Sequence, residues 1–270
     1  MTPSPNAPIP LADWPLVSRQ QVAGILTDID DTLTKDGKLM ASARAALTRC
    51  EQEGLPVVAV TGRPAGWSEA FALSWPVRAI VAENGAVMLW RRADGGLGKD
   101  WIQPETERAE NAARLAEAAY TVLREFPMAR LAGDSAGRET DIAIDHSEHH
   151  HLGASEVDAI GARLTELGFR VTVSSIHINA WLGEHDKWSG ARWALKERLQ
   201  VDLVQSVDRW IYVGDSANDQ VMFARMALSV GVRNIEPVLT QLATPPRYIT
   251  AGMRGDGFSE VVDAVLSHGG

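Results

Sequence analysis

The stretch VAGILTDIDDTLT, residues 22–34, decides how the rest of the chain is read. Its first five residues form an apolar run without alternation, the pattern of a strand buried on both faces. The run ends in three carboxylates, Asp28, Asp30 and Asp31. Like charges this close repel, and a chain tolerates them only where a cation or compensating groups are present. Residues two apart along an extended chain point the same way. Asp28 and Asp30 therefore share a side, one placed to attack while the other transfers protons.

Working outward, three more apolar runs end in polar clusters: residues 55–60 before TGRP, 79–82 before ENG, and 210–213 before GDSAND. Between the first two runs lies ASARAALTRCEQEG, where Ala41, Ala45, Leu47 and Cys50 are expected to share a helical face and Gly54 stands where a C-terminal cap belongs. That is a βαβ unit, and the expected fold class is α/β with a Rossmann-like parallel sheet. Ligands of such sheets bind beyond the carboxyl ends of the strands. All four clusters occupy that edge, so residues scattered along the chain are expected to meet there.

Residues 86–184 read differently. Strands are expected at 86–90, 140–144, 171–174 and 176–181, and helices at 105–125 and 156–167. ETDIAIDH and IHINAWL alternate polar with apolar, which predicts an antiparallel sheet with one covered face. The expected organisation is a discontinuous core of residues 20–85 plus 185–270, an inserted α+β domain of residues 86–184, and a flexible tail of residues 1–19, which holds five prolines. After the insertion the α/β pattern resumes, closing with a strand at 248–250, the glycine-rich turn GMRGDGF and a helix over 259–267.

The 270 residues are 45% hydrophobic, ordinary for a globular protein. The 26 basic and 35 acidic side chains give a charge of -9 with no basic block, which disfavours nucleic acid. No apolar run reaches membrane-spanning length, and the single cysteine, Cys50, suits the reducing cytoplasm.

Asp215 and Asp219 in GDSANDQ lie in a turn opening a helix, where Asp215 can add an oxygen to a cation held by Asp28. Carboxylate ligands without histidine or cysteine favour magnesium, which completes its shell with water and phosphate oxygens. A small phosphorylated substrate follows. Thr61, beside Gly62, supplies a hydroxyl to the phosphoryl group, Lys187 supplies charge, and Arg63 either reaches a substrate anion or pairs with the acidic loops. The expected chemistry is in-line attack by Asp28, an aspartyl-phosphate intermediate, and hydrolysis, with Asp30 as acid and then base.

Taken together and in order, DIDDTLT, VTGRP, the lysine of HDKWSGA and GDSANDQVMF resemble the four motifs of the haloacid dehalogenase superfamily. ENGA and the long insert after it resemble the type IIB cap subgroup, which contains sugar phosphatases and phosphomannomutases. GMRGDGFSEVV is similar to the terminus of its sucrose- and mannosylglycerate-phosphate phosphatase branch. The resemblance implies Asp28 as nucleophile, Asp30 as acid/base and, through its backbone carbonyl, metal ligand. It further implies Thr61 and Lys187 as phosphate binders, Asp215 as a magnesium ligand, Asp219 in or beside the metal shell, and Asn218 orienting Lys187 or the phosphate. Where many members have glycine after the second aspartate, this chain has Asp31, whose side chain must point away.

In the insert, His177 and Asn179 alternate with Ile176 and Ile178, which places both facing the cleft from the lid. The stretch DHSEHHH lacks zinc-site spacing and reads as a loop, His149 to His151 included. The leading reading is a magnesium-dependent sugar phosphatase. A phosphosugar mutase and a non-catalytic phosphate-binding regulatory module are the alternatives, and oligomeric state stays open.

Overall fold

A computed structural model describes residues 7–267 of the chain. The strands are β1 (Ile9–Pro10), β2 (Gly24–Thr27), β3 (Thr34–Lys35), β4 (Lys38–Leu39), β5 (Val57–Val60), β6 (Ala79–Ala82), β7 (Val87–Arg91), β8 (Leu97–Trp101), β9 (Asp141–Asp145), β10 (Arg170–Val173), β11 (His177–Trp181), β12 (Trp210–Gly214), β13 (Leu228–Gly231) and β14 (Tyr248–Ile249). The helices are α1 (Leu16–Arg19), α2 (Ala41–Gln52), α3 (Ala65–Ser74), α4 (Glu105–Glu125), α5 (Ala154–Glu166), α6 (Lys187–Leu199), α7 (Gln220–Phe223) and α8 (Arg254–Leu266).

Nine strands form the main sheet in the order β1, β14, β13, β12, β2, β5, β6, β7, β8. The first seven run parallel, and β7 and β8 add an antiparallel hairpin. The strands β2, β5, β6 and β12 are buried along their whole length, as continuous apolar runs require. Separate apolar clusters cover the two faces of this sheet. The chain order reverses between β2 and β12, the kind of switch point where open α/β sheets form a ligand crevice.

The smaller sheet, in the order β10, β11, β9, is antiparallel. Its Ile144, Ile178 and Ala180 pack with Leu115 and Val122 of α4 and with Ile160 and Leu164 of α5. Every residue of β11 is buried. The alternation in HINAW thus marks two covered faces rather than one: an apolar face under the helices and a polar one against the main sheet's loops.

Four expectations need correction. The strand expected at 86–90 does not belong to the smaller sheet, because β7 pairs with β6 and extends the large one; the smaller sheet's elements start after β8. In α2 the buried stripe is Ala43, Ala46, Leu47 and Cys50, while Ala41 and Ala45 face outward; the observed spacing i, i+3, i+4, i+7 is the better helical face. The last helix begins at Arg254, inside the expected glycine turn. Its glycines serve close approach, since a Cβ at Gly255 would lie 2.8 Å from Met40 Cβ and one at Gly257 2.6 Å from the Gly252 carbonyl.

The fourth correction concerns residues 7–19; residues 1–6 of the expected tail lie outside the described residues. β1 joins the sheet edge beside β14, where proline is tolerated because no ladder donor is needed. Trp14 is then buried, its ring 5.7 Å from that of Tyr248, with Arg19 Nε donating to the Trp14 carbonyl at 2.7 Å. Truncating a buried aromatic costs about 3–5 kcal/mol. Trp14→Ala is expected to lower the unfolding free energy measured in urea by that order, whereas an unchanged value would mean that the segment contributes nothing to folding.

Candidate active site

The residue Asp28 follows β2 and Asp215 follows β12, so the pairing of these two strands brings both carboxylates together. The Asp28 backbone N–H donates to the Val213 carbonyl at 2.8 Å, which fixes the first loop against the second strand. Carboxylate oxygens of Asp28, Asp215 and Asp219 lie within 4.8 Å of one another, and all three residues are buried. Lys187 is the first residue of α6, a helix started by the Asp186 carboxylate accepting the Ser189 N–H. From there its buried ammonium donates to Asp28 Oδ1 at 2.6 Å, Asp219 Oδ1 at 2.7 Å and Asn218 Oδ1 at 3.3 Å.

Three carboxylates around one ammonium leave negative charge uncompensated. Burial, assisted by the Asp219 and Asp30 carboxylates, pushes Asp28 up to about 8 against the pull of Lys187. Asp215 is raised well above the carboxylate range by burial and by Asp28, Asp219 and Asp31. Burial alone would lower Lys187, but Asp219 and Asp28 override it and keep the ammonium charged. An oxygen-only donor set of this charge fits a hard divalent cation.

The carboxylates differ in how far protein donors occupy them. Asp219 is surrounded: Oδ1 accepts from Lys187 and Tyr212, and Oδ2 from the backbone N–H groups of Asp215 and Ser216 at 2.8 and 3.0 Å. It shapes the turn that presents Asp215 and holds Lys187 in place. Asp215 has only long contacts, from Thr32 Oγ1 at 3.4 Å and Asn234 Nδ2 at 3.3 Å. Thr61 Oγ1 accepts the Arg63 N–H at 3.0 Å, which leaves its own O–H free to donate. Asn218 uses its amide oxygen on Lys187 and Ser216.

Of the two readings of Arg63, the structure shows the pairing with acidic loops. Its Nε and Nη2 donate to Asp30, Nη1 to Asp134 at 3.0 Å and Nη2 also to Glu148 at 2.7 Å, so carboxylates take the donors that a phosphate would need. Asp134 and Glu148 come from the smaller sheet's layer, which makes Arg63 a clamp between that layer and Asp30. Burial raises Asp30 above the usual carboxylate range, with Arg63 opposing it, and a carboxyl so raised suits a proton donor. His177 and Asn179 reach the same place: His177 Nε2 meets Glu148 at 2.9 Å, and Asn179 Nδ2 donates to the Gly62 carbonyl at 3.3 Å. A cavity of about 10 Å³ is bounded by Asp28, Asp30, Thr61, Gly62, Arg63, His177, Asn179 and Asn218, among others.

Sequence reasoning missed Glu148, Asp134, Glu83 and Asn234. Glu148 sits inside DHSEHHH, where the histidines drew attention, and among the described residues no histidine joins a metal-type cluster. The Asp31 backbone has φ of 53°, the left-handed region that favours glycine. Its side chain turns outward to Arg254 Nε at 2.6 Å, and Asn234 Nδ2 holds its carbonyl at 3.0 Å.

The side chain of Glu83 ties the two layers. It accepts from Ala65 N–H on one side and from Glu139 N–H, Thr140 N–H and Thr140 Oγ1 on the other. Burial, and then the Asp141 carboxylate, push it up to about 7 despite these donors. An acid raised on folding binds more protons folded than unfolded, so its stabilisation is full below the unfolded value and is lost as pH rises through about 7. One pKa unit is about 1.4 kcal/mol. Glu83→Gln is expected to flatten the fall in unfolding free energy between pH 5 and 8 by a few kcal/mol. Identical slopes for both proteins would refute this.

Residues 25–106 match the family model of the haloacid dehalogenase-like hydrolases. A phosphoglycolate phosphatase of Methanothrix thermoacetophila is 29% identical over 254 residues, 92% of this chain and 99% of that protein. One of Methanothermobacter thermautotrophicus is 26% identical over 240 residues, 88% and 96% of the two chains. Among solved structures, a Thermoplasma acidophilum protein superposes with a TM-score of 0.66 at 19% identity, over 90% of this chain and 98% of that one. The sucrose-phosphatase of Synechocystis sp. PCC6803, solved with sucrose and phosphate, superposes with a TM-score of 0.64 at 16% identity, covering 92% and 100%. The motif order, the sheet and the acidic cluster agree with these likenesses: residues 25–106 match the haloacid dehalogenase-like hydrolases, and nearly the whole chain is similar to phosphatases.

Proposed function

We propose that the protein is a magnesium-dependent phosphatase that cleaves a phosphorylated sugar or sugar derivative through an aspartyl-phosphate. The observation that carries this is the contact of Lys187 with Asp219, Asn218 and, 159 positions away in sequence, Asp28. Asp28 and Asp215, with the Asp30 carbonyl, would hold the cation, and Asp219 lies at its edge while holding Lys187. When bound, magnesium supplies positive charge that offsets repulsion between carboxylate and phosphate.

Asp28 attacks phosphorus, an O–P bond forms, and the bond to the leaving oxygen breaks as Asp30 gives that oxygen its proton. Asp30, now a carboxylate, takes a proton from water, which attacks phosphorus and releases Asp28 and inorganic phosphate. Thr61 and Lys187 hold the phosphoryl oxygens, and Asn218 orients Lys187. A space of about 10 Å³ holds one water at most, so the smaller sheet's layer must lift for substrate to enter and close again for chemistry.

A cavity of about 460 Å³ beside Asp30 supports a polyhydroxylated leaving group. Asp31, Asp36, Glu148, Ser147 and Ser175 line it, and its arginines, Arg63 and Arg254, are already paired with carboxylates. Hydroxyls can bond such a wall, while a carboxylate meets repulsion. The relatives named phosphoglycolate phosphatase favour a second reading, phosphoglycolate itself.

Inorganic phosphate release from a panel of sugar phosphates and phosphoglycolate separates the two. Sugar phosphates are expected to turn over with kcat/KM at least tenfold above phosphoglycolate, and the opposite order supports the second reading. Asp28→Asn is expected to lose about a thousandfold or more in kcat, and Asp30→Asn about a hundredfold or more. Chelation should abolish activity and magnesium restore it; full turnover in the chelated enzyme, or in Asp28→Asn, would end the proposal. A mutase would conserve total ester phosphate instead of releasing it.

A further inference from the structure

The ENG segment carries a residue that the mechanism above does not use. Glu83, Asn84 and Gly85 are consecutive left-handed residues with φ of 49°, 55° and 112°. Asn84 is among the side chains that tolerate this region. The turn is gripped from both sides of the active site: the Asn84 N–H donates to the Thr61 carbonyl at 2.9 Å, and a Cβ at Gly85 would fall 2.2 Å from the carbonyl oxygen of Asp186, the residue that caps α6. The loops that present Thr61 and Lys187 therefore also position Asn84.

Only 1% of Asn84 is exposed, yet neither Oδ1 nor Nδ2 has a hydrogen-bond partner. Burying both ends of an amide unpaired is costly, and native structures avoid it unless a ligand or water completes the set. The amide lines a cavity of about 560 Å³ that also reaches Lys187 and Asn218. It lies against Gly62, where an added Cβ would stand 3.3 Å from Asn84 Oδ1 and 3.4 Å from Nδ2. Across the same glycine, at 3.3 Å, is Asn179 Oδ1, also unpartnered.

We propose that Asn84 is a further phosphate-binding residue, its carboxamide N–H donating to an oxygen of the bound phosphoryl group beside Gly62. This rests on the phosphatase site described above. Glycine at position 84 removes the amide without straining the left-handed backbone, and aspartate keeps the shape while replacing the donor with an anion. The test is calorimetric titration of inorganic phosphate, with magnesium present, into wild type, Asn84→Gly, Asn84→Asp and Thr61→Ala, each checked for an intact thermal transition.

Asn84→Gly is expected to weaken phosphate Kd at least about fivefold, Asn84→Asp more than Asn84→Gly, and kcat/KM is expected to follow the same order. Wild-type Kd in both Asn84 variants, with weakened binding in Thr61→Ala, would overturn the role of Asn84 and leave the site's phosphate-binding reading standing. Absence of phosphate binding in every protein, wild type included, would overturn both. Equal loss in the glycine and aspartate variants, with lowered thermal midpoints, would mark Asn84 as structural and overturn the proposal.

Discussion

Three buried carboxylates crowd together with one ammonium beside them, and most of the remaining architecture follows from keeping them there. Asp28, Asp215 and Asp219 meet at the edge where β2 and β12 lie side by side, and Lys187 pairs with Asp28 and Asp219. Isolated, such a cluster would resist folding, because desolvation and mutual repulsion both oppose ionisation. The chain offsets this with donors aimed at Asp219 from Tyr212 and from two backbone N–H groups, and leaves Asp28 and Asp215 underserved. Excess negative charge is thereby concentrated where a divalent cation would offset it.

A second ionic system joins the two sheets. Arg63 meets Asp30, Asp134 and Glu148, while Arg138 meets Asp134 and Asp141 and donates to the Gly62 carbonyl. Its members are largely buried, so removing one partner strands another. Because Asp30 belongs to this network and to the loop that carries Asp28 alike, the position of the smaller layer is mechanically linked to the carboxyl proposed as acid and base. Closure and acid placement thus become parts of one arrangement, consistent with the narrow space left above Asp28.

The parts legible in sequence were those set by local pattern. Continuous apolar runs marked β2, β5, β6 and β12 within a residue or two at most ends, and the helix expected at 105–125 matches α4 (Glu105–Glu125). That Asp28, Thr61, Lys187, Asn218, Asp215 and Asp219 would meet at one edge was legible because each follows a strand or opens a helix at a recognisable motif. Glu83 and Glu148 were not, because an isolated glutamate looks like any solvated charge until its donors, distant in sequence, are known. Likewise the α8 glycines looked like a turn, since a need for close packing leaves no local trace.

Sequence alone determined an acidic strand end, its companion motifs and a parallel sheet to bring them together, because apolar periodicity and like-charge clustering are properties of neighbouring residues. Tertiary structure decided that Arg63 clamps Asp30, that Asn84 is buried without a partner beside Gly62, that residues 9–14 pack onto the sheet edge, and that β7 and β8 extend the main sheet. Those outcomes depend on which donor, ring or strand arrives from far along the chain, and strand pairing and burial settle that only once the whole polypeptide has folded.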